Sequence, residues 1–289
     1  MGTGEEWTLD KIPDEWWRYQ VSAQTLSGWF KQHTLGLFLA ARVGDKIVPD
    51  VYTGFLVEYR KNLLWFTVGH GIKDLHDILQ NHGADIVQLR WMDNCTIPGA
   101  ETFPVHNRNL KLYCSDEIDF GFVHITGLDE ANIRNSNQLQ ILSERIWLNI
   151  DRAEPEGFYV LGYPKEWIKI DKQQSNGRTT WSATLNLSCL PIQRVPYKAD
   201  TGEFWADPEG FYGKIMPFVE KAGGQPASPV GMSGAPLFSL ERGFDENGEL
   251  RIGYYLFGIQ RSWNEIDTIR AEPIQKAVAI VEQYFKTLE

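Results

Sequence analysis

The segment Gly231-Met232-Ser233-Gly234-Ala235-Pro236 has the composition of a tight turn that exposes a hydroxyl group. Two glycines around a serine permit a sharp bend of the backbone and leave several N–H groups free to point in one direction. Such a turn suits the nucleophile of an acyl-transfer reaction. The N–H groups of Gly231 and Ser233 would then bind the oxyanion that forms when a carbonyl is attacked. Ser233 is therefore the first candidate catalytic residue.

A serine nucleophile needs a base, and the histidines of the chain limit the choice. All six precede Ser233, which excludes the order nucleophile, acid, histidine that α/β-hydrolases use. His70 directly follows the apolar run 63–69, so we expect a strand from the core to deliver its side chain to a surface. We expect His70 to be the base. Four other histidines are expected to be ordinary core or surface residues: His33, His82, His106 and His124.

The orienting carboxylate is expected at Asp119, at the head of the apolar segment 120–125, where burial would hold it in place. Asp116 is the competing candidate, but it lies in a more polar stretch. A metal site is not expected here. His70 and His76 are six residues apart, whereas two ligands on one helical face are three or four residues apart.

Together these segments resemble the motifs of the chymotrypsin/trypsin-like serine proteases of the PA clan. Thr67-Val68-Gly69-His70, Asp119-Phe120-Gly121-Phe122 and the serine turn follow the family's order of histidine, aspartate and serine. Gly162-Tyr163-Pro164 is similar to the first strand of the family's second barrel. Gly258-Ile259 resembles the start of the strand that pairs with substrate.

The resemblance, which covers roughly residues 34 to 289, implies a role for each matched residue. Ser233 would be the nucleophile, and His70 the general base and then the general acid. Asp119 would orient the imidazole and stabilise its charged form. The N–H groups of Gly231 and Ser233 would form the oxyanion hole. No cofactor and no metal are implied.

The resemblance also implies where a substrate would bind. The residue six before the serine lies at the floor of the family's specificity pocket, and here it is Ala227. Without a carboxylate there, we expect cleavage after a small or apolar side chain rather than after lysine or arginine. Gly258 and Ile259 are expected to pair with the substrate backbone. Arg261, which follows them, would either favour an acidic substrate residue or point to solvent.

Three positions depart from the pattern of secreted family members. Met232 replaces an aspartate that pairs with a newly cut N-terminus, so we expect no activating cleavage between residues 30 and 40. Gly71 replaces a cysteine that often follows the histidine, and Ala235 replaces the second glycine after the serine. These changes indicate a bacterial-type intracellular member that lacks disulfides.

The elements that must position these residues are short apolar strands separated by turn signals. About a dozen strands, one small helix after His70 and a terminal helix predict an all-β fold of two antiparallel barrels. Alternating βαβ units are absent, which disfavours a doubly wound sheet. We divide the chain into an N-terminal extension (1–33), a first barrel carrying His70 and Asp119 (34–127), a connection (128–150), a second barrel carrying Ser233 (151–270) and a C-terminal helix (271–289).

Composition excludes several classes of protein. The 289 residues are 43% apolar and 23% charged, which is typical of a globular chain. The 28 basic and 38 acidic residues give a net charge of −10, so we expect neither nucleic acid nor a membrane as the main partner. The N-terminus lacks the features of a signal peptide, and three cysteines are too few for a disulfide framework. We therefore expect a cytoplasmic location.

The leading hypothesis is a serine endopeptidase that acts on protein or peptide substrates and is narrow in specificity or controlled by a regulatory partner. The extension 1–33 and the long region 196–230 are candidate control elements. The alternative is a catalytically silent binding module with the same fold. A general esterase is a further candidate, because it would use the same acyl-transfer chemistry.

Overall fold

The apolar strand patterns form two antiparallel assemblies in the structure, which is a computed structural model. It describes residues 28–81, 86–93, 102–106, 110–115, 117–136, 138–148, 155, 157–175, 178–198, 202–216, 228–244 and 250–288. The first assembly is a sheet and the second a barrel, and each contributes residues to the candidate site.

The first assembly is a curled seven-stranded antiparallel sheet with the strand order β5-β4-β1-β2-β3-β7-β6. A helix, α1 (Gly69–Asn81), connects β3 to β4 and begins where the apolar run of β3 ends. The strands are β1 (Thr34–Val43), β2 (Lys46–Tyr59), β3 (Asn62–Thr67), β4 (Ile86–Asp93), β5 (Thr102–Pro104), β6 (Lys111–Cys114) and β7 (Gly121–Ile125).

The second assembly is a closed six-stranded barrel with the order β11-β12-β15-β14-β13-β8. A separate hairpin, β9 (Lys169–Ser175) and β10 (Arg178–Thr184), extends from it. The barrel strands are β8 (Gly157–Gly162), β11 (Ser188–Arg194), β12 (Phe211–Ile215), β13 (Pro236–Phe244), β14 (Leu250–Trp263) and β15 (Thr268–Pro273).

The predicted mostly-β architecture with a C-terminal helix is confirmed, with one assembly a closed barrel and the other a curled sheet. The connection between them holds two short helices, α2 (Gly127–Arg134) and α3 (Glu144–Trp147). The terminal helix, α4 (Ile274–Lys286), begins three residues later than predicted, because residues 271–273 pair with β14.

One buried aromatic cluster holds the two assemblies together. Phe30, just before β1, stacks on Phe238 of the barrel with ring centroids 4.3 Å apart, and it is fully buried. Phe285 of α4 packs against Tyr59 of the first sheet at 5.3 Å. Large buried rings that contact both assemblies resist relative movement, because separating them would expose much apolar surface. The orientation of the sheet relative to the barrel is therefore fixed by packing.

Other features bear on the expected cellular setting. Cys114 and Cys189 are free thiols, and Cys95 lies outside the described residues. No helix within the described ranges combines the length and the apolar character needed to cross a bilayer.

Gly54 provides a test of the first sheet. A Cβ at this position would lie 2.3 Å from Cε2 of Trp65, whose indole N–H donates to the carbonyl of Leu35 at 2.8 Å. Because Trp65 is fully buried, Gly54→Ala should displace the indole and lower the free energy of unfolding by about 1–3 kcal/mol. Chemical denaturation measures this. Gly28→Ala is the control, since nothing lies within 4 Å of its added methyl group; equal losses in both variants would contradict the packing.

Candidate active site

His70 and Asp119 form a hydrogen-bonded pair at the N-terminal end of α1. Nδ1 of His70 lies 2.9 Å from Oδ2 of Asp119, and the backbone N–H of His70 donates to Oδ1 at 2.8 Å. An ionised carboxylate can only accept, so Nδ1 is the protonated ring nitrogen. Nε2 is then left with its lone pair and can accept a proton. This tautomer is the one a general base requires.

The loop before β7 fixes the position of Asp119. The hydroxyl oxygen of Ser115 accepts hydrogen bonds from the N–H groups of Glu117 and Ile118 at 3.1 and 3.3 Å. The N–H of Ser115 donates to the carbonyl of Phe120 at 2.9 Å. These bonds close a compact turn between β6 and β7. Asp119 therefore lies in a hydrogen-bonded segment that leads into β7.

The pair perturbs the pKa of both members. The hydrogen bond to Asp119 raises the pKa of His70 above its ordinary value, against a smaller opposing effect of burial. Burial alone would raise the pKa of Asp119, but the hydrogen bonds and charge of His70, with the charge of Arg261, outweigh it and hold that pKa below its usual range. The side chain of Asp119 is 15% exposed and that of His70 is 54% exposed. The carboxylate is thus sheltered while the imidazole remains reachable.

Ser233 lies in a hydrogen-bonded turn just before β13. The N–H of Ala235 donates to the carbonyl of Met232 at 2.8 Å, which closes the turn around Ser233 and Gly234. Gly231 and Gly234 have φ values of +87° and +93°, in the left-handed region that favours glycine. The two glycines are required by the bend itself. The sequence pattern therefore predicted this turn for the right physical reason.

The backbone of β14 anchors the same turn. The N–H of Gly234 donates to the carbonyl of Gln260, and the N–H of Gln260 donates to the carbonyl of Ala235, both at 2.8 Å. Within the described parts of the chain, the N–H groups of Gly231 and Ser233 donate to no other residue. Two donors next to the serine hydroxyl are thus available to a ligand.

The serine turn packs against the strand that leads to His70. A Cβ on Gly234 would lie 2.2 Å from Oγ1 of Thr67 and 2.3 Å from the carbonyl oxygen of Thr53, so only glycine fits. The Thr53 hydroxyl donates to the carbonyl of Gly231 at 3.1 Å. Thr67 precedes His70 by three residues, a span of about 10 Å at most. The fold therefore brings the turn of Ser233 to the same region as the His70–Asp119 pair.

Two predicted substrate-binding residues are corrected by the strand pairing. Gly258 and Ile259 are paired on one side with β13 and on the other with β15, so they have no free edge for a peptide. Among the described residues, no strand pairs with residues 261–263 on the β13 side. An edge open to an extended ligand thus begins a few residues later than the sequence suggested.

Arg261 also differs from its prediction. Its Nε lies 3.4 Å from Oδ2 of Asp119, and its Nη1 donates to Oε1 of Glu272 at 2.9 Å. The guanidinium is shared by two carboxylates, so the predicted alternative of a side chain directed to solvent is wrong, while recognition of an acidic substrate residue stays a prediction. Ala227, predicted at the pocket floor, lies outside the described residues, as does Asp116.

The remaining histidines lie away from the pair. His33 is buried, with Nδ1 2.7 Å from the carbonyl oxygen of Gln140 and Nε2 2.8 Å from the Tyr254 hydroxyl; burial lowers its pKa to about 4. His76 and His106 are exposed, and His82 lies outside the described residues. In the described parts of the chain, no group of three or more histidine, cysteine, aspartate or glutamate residues is arranged to hold a metal.

Sequence reasoning missed the contributions of Thr53, Thr67 and Glu272. The two threonines lie inside apolar strands, where β-branched residues are common, so nothing marked Thr53, and Thr67 was noted only as part of the motif that ends at His70. Glu272 did carry a signal. A glutamate beside an arginine inside an otherwise apolar strand indicates a buried ion pair, since charged residues are seldom buried without a partner.

Comparisons with known proteins add limited information. No protein-family model matches the sequence, and no curated protein is significantly similar to it. Solved structures do match. One is a crystal structure of the Rv3671c protease in its inactive form, with 13% sequence identity and a TM-score of 0.41. The match covers 89% of this chain and 91% of that chain.

Substituting Gly234 should damage both the turn and the contact between assemblies. Gly234→Ala places a methyl group at positive φ and against Thr53 and Thr67, so we expect the free energy of unfolding to fall by roughly 2–4 kcal/mol. Gly202→Ala is a matched control, because Gly202 also has a positive φ but has open space around it. Its loss should be only about 1 kcal/mol. Equal losses in urea denaturation would contradict the close contact.

The His70–Asp119 pair predicts a specific titration. Asp119→Asn removes the charge that raises the pKa of His70, so the NMR titration midpoint of its ring should move to lower pH. Because the pKa of His70 is raised in the folded protein, protonation of His70 stabilises the fold at pH values below the ordinary histidine pKa. This stabilisation is lost as the pH rises through the pKa that His70 has in the folded protein. The difference in the free energy of unfolding between the wild type and Asp119→Asn should therefore become smaller as the pH rises between these two pKa values. Glu117→Gln, which removes an exposed carboxylate nearby, is the control; an unmoved midpoint in Asp119→Asn would refute the pairing.

Proposed function

We propose that this chain is a serine hydrolase of the endopeptidase type, with Ser233 as nucleophile, His70 as general base and Asp119 as the orienting carboxylate. The observation that carries the proposal is the His70–Asp119 pair. Its geometry leaves Nε2 as the basic nitrogen, at the place where a glycine-flanked serine turn packs against the neighbouring strand.

The reaction follows from the proton positions. Nε2 of His70 takes the proton of the Ser233 hydroxyl as Oγ attacks the substrate carbonyl, and the imidazolium is stabilised by Asp119 through Nδ1–H. The carbonyl oxygen becomes an oxyanion. Collapse of this intermediate expels the amine, which receives the proton from Nε2, and leaves an ester on Ser233. Water then hydrolyses the ester by the same steps, with His70 again accepting and returning a proton.

The oxyanion would be bound by the N–H groups of Gly231 and Ser233. Both donors are unused by the described residues, and both belong to a turn that is held by hydrogen bonds to Gln260. Donors fixed in advance stabilise the developing charge without reorganising, and losing one such donor typically reduces turnover about 100- to 1,000-fold. Met232, which lies between Gly231 and Ser233 in the sequence, is fully buried and anchors the turn in the core.

An extended peptide would bind along residues 261–263 of β14. The β13 side of this segment is unpaired among the described residues, and backbone hydrogen bonds to such an edge are the usual way in which a strand recognises a peptide. The edge lies directly after Gln260, which anchors the serine turn. A peptide on it would therefore run toward Ser233. This arrangement favours a peptidase over a general esterase, whose substrates need no extended edge.

The expected cytoplasmic location and the expected regulatory partner stay predictions. The described part of the 196–230 region includes a short 3₁₀ turn, Glu203–Trp205, and Asp207 just beyond it. Oδ2 of Asp207 forms an ion pair with Nζ of Lys276 in α4, at a distance of 2.9 Å. This part of the candidate control region is thus tied to the barrel.

A fluorophosphonate carrying rhodamine tests the nucleophile without knowledge of the substrate. We expect the native protein to be labelled at Ser233, and we expect neither Ser233→Ala nor the heat-denatured protein to react. His70→Ala should lose nearly all labelling, whereas His76→Ala, which removes an exposed histidine from the same helix, should react like the wild type. A folded wild type that does not react would instead support the binding module.

A peptide library derived from a proteome then separates peptidase from esterase. On a cleaved sequence, Ser233→Ala or His70→Ala should reduce kcat on the order of a million-fold and Asp119→Asn on the order of ten-thousand-fold. Labelling without cleavage of any peptide, together with hydrolysis of small esters, would overturn the peptidase assignment and keep the nucleophile.

A further inference from the structure

Arg261 occupies an irregular position in β14. The register with β15 pairs Gln260 with Ala271 and Ser262 with Arg270, so Arg261 is the extra residue of a β-bulge. A bulge turns one side chain away from the direction that regular alternation would give it, and bulges are frequent beside active sites. Here the bulge places a cation against the carboxylate that orients His70.

The guanidinium bridges two carboxylates from different assemblies. Asp119, from the first sheet, lies 3.4 Å from Nε, and Glu272, from the barrel, accepts from Nη1 at 2.9 Å. Asp119 therefore accepts hydrogen bonds from the backbone N–H and the ring N–H of His70, and it forms an ion pair with Arg261. A carboxylate held from three directions has little freedom to rotate away from the imidazole.

Glu272 connects Arg261 to a partly buried network of charges. Its side chain is 2% exposed, and its oxygens lie 3.7 Å from Nη2 of Arg270 and 3.7 Å from Nζ of Lys276. Arg270 and Lys276 in turn reach Oδ2 of Asp207, at 3.5 and 2.9 Å. Positive and negative groups alternate along the whole chain of contacts.

Burying the charges of Glu272 and Arg270, which are 2% and 8% exposed, is an expensive way to stabilise a protein. Replacing buried ion pairs by apolar residues of similar volume is often neutral or stabilising, so their presence points to a role in positioning. The network ends at Asp119, so the carboxylate of Asp119 is the group that it positions. Within this network, the ion pair of Arg261 with Asp119 is the contact that crosses from the barrel to the first sheet.

We infer that Arg261 is a positioning residue, held by Glu272, that fixes the Asp119 carboxylate against His70 and sets how readily the imidazole acts as a base. The inference rests on the proposed function, since it assigns Arg261 a part in that same site. It gives Arg261 no contact with the reacting atoms. It also differs from a role in recognising acidic substrates, because the cation is already shared by two carboxylates.

The charges around His70 define the direction of the effect. Asp119 raises the pKa of His70, chiefly by its hydrogen bond, and Asp74 on the same helix adds to this more weakly, whereas Arg261 lowers it. Removing the charge of Arg261 should therefore raise the pKa of His70. Removing the charge of Glu272 leaves Arg261 less neutralised and should lower the pKa. A mere loss of structure would not give opposite signs.

The test measures the rate of rhodamine-fluorophosphonate labelling from pH 5 to 9. Labelling requires neutral His70, so the midpoint of the rise with pH reports its titration. Arg261→Met should move the midpoint up by roughly half to one pH unit and lower the plateau by roughly tenfold, because Asp119 loses the positive charge paired with it. Glu272→Gln should move the midpoint down. Arg261→Lys, which keeps the charge, should stay close to the wild type.

Lys214→Met is the matched control. Lys214 forms an ion pair with Asp267 at 3.0 Å in the same barrel, so this variant removes a cation without touching the network. Its midpoint should equal that of the wild type. Midpoints that move in one direction for both Arg261→Met and Glu272→Gln, or that do not move, would overturn the inference. Should Glu272→Gln fail to fold, a midpoint of Arg261→Lys equal to that of Arg261→Met would overturn it.

A second readout keeps this result separate from the proposed function. The NMR titration of the His70 ring, assigned by the loss of its signal in His70→Gln, follows the same pKa without any reaction. If the wild type is not labelled, the proposed function fails, and the NMR midpoints of the Arg261 and Glu272 variants still decide whether the network tunes the imidazole. Labelling of the wild type with unmoved midpoints would refute the role of Arg261 alone.

Discussion

The structure depends on the burial of one carboxylate. Asp119 is largely removed from water, and an ionised carboxylate in that position is tolerated only with several donors around it. The groups that stabilise it come from both assemblies: His70, from the helix that follows β3, donates hydrogen bonds, and Arg261, from the bulge in β14, forms an ion pair. The ion pair with Arg261 exists only when the sheet and the barrel are docked. The orientation of the imidazole is therefore a consequence of docking as well as of local sequence.

Close packing holds the sheet and the barrel against each other. The rings of Phe30 and Phe238 stack across the junction, and Phe285 of the terminal helix packs on the first sheet although its helix follows the last strand of the barrel. At the site itself, the backbone of Gly234 approaches Thr67 so closely that a single methyl group would not fit. Close packing thus fixes the two assemblies against each other at the place where the chemistry is proposed, as catalysis by positioned groups requires.

The sequence was most informative where local chemistry decides the outcome. The glycines around Ser233 adopt the left-handed angles that their type allows, and His70 follows an apolar run that does form a buried strand. It was least informative about which strands pair and in what register. Gly258 and Ile259 looked like a free edge, but both sides are occupied by strands far away in the chain. The bulge that redirects Arg261 has the same origin, because an extra residue in one strand is defined only by the partner opposite it.

The two titratable groups of the pair make opposing demands, and Arg261 mediates between them. Asp119 must be ionised, which its lowered pKa ensures over a wide range. His70 must be neutral to accept a proton, yet the same carboxylate that orients it also raises its pKa and so favours the charged form. Without a nearby cation, Asp119 would still orient the imidazole of His70, but a smaller fraction of His70 would be in the neutral form that accepts a proton. The positive charge of Arg261 lowers the pKa of both groups, so it keeps Asp119 ionised and opposes the rise in the pKa of His70. Glu272, which forms an ion pair with Arg261, limits the size of this effect. In the proposed mechanism, the bulged arginine thus reconciles strong orientation of the imidazole with its availability as a base.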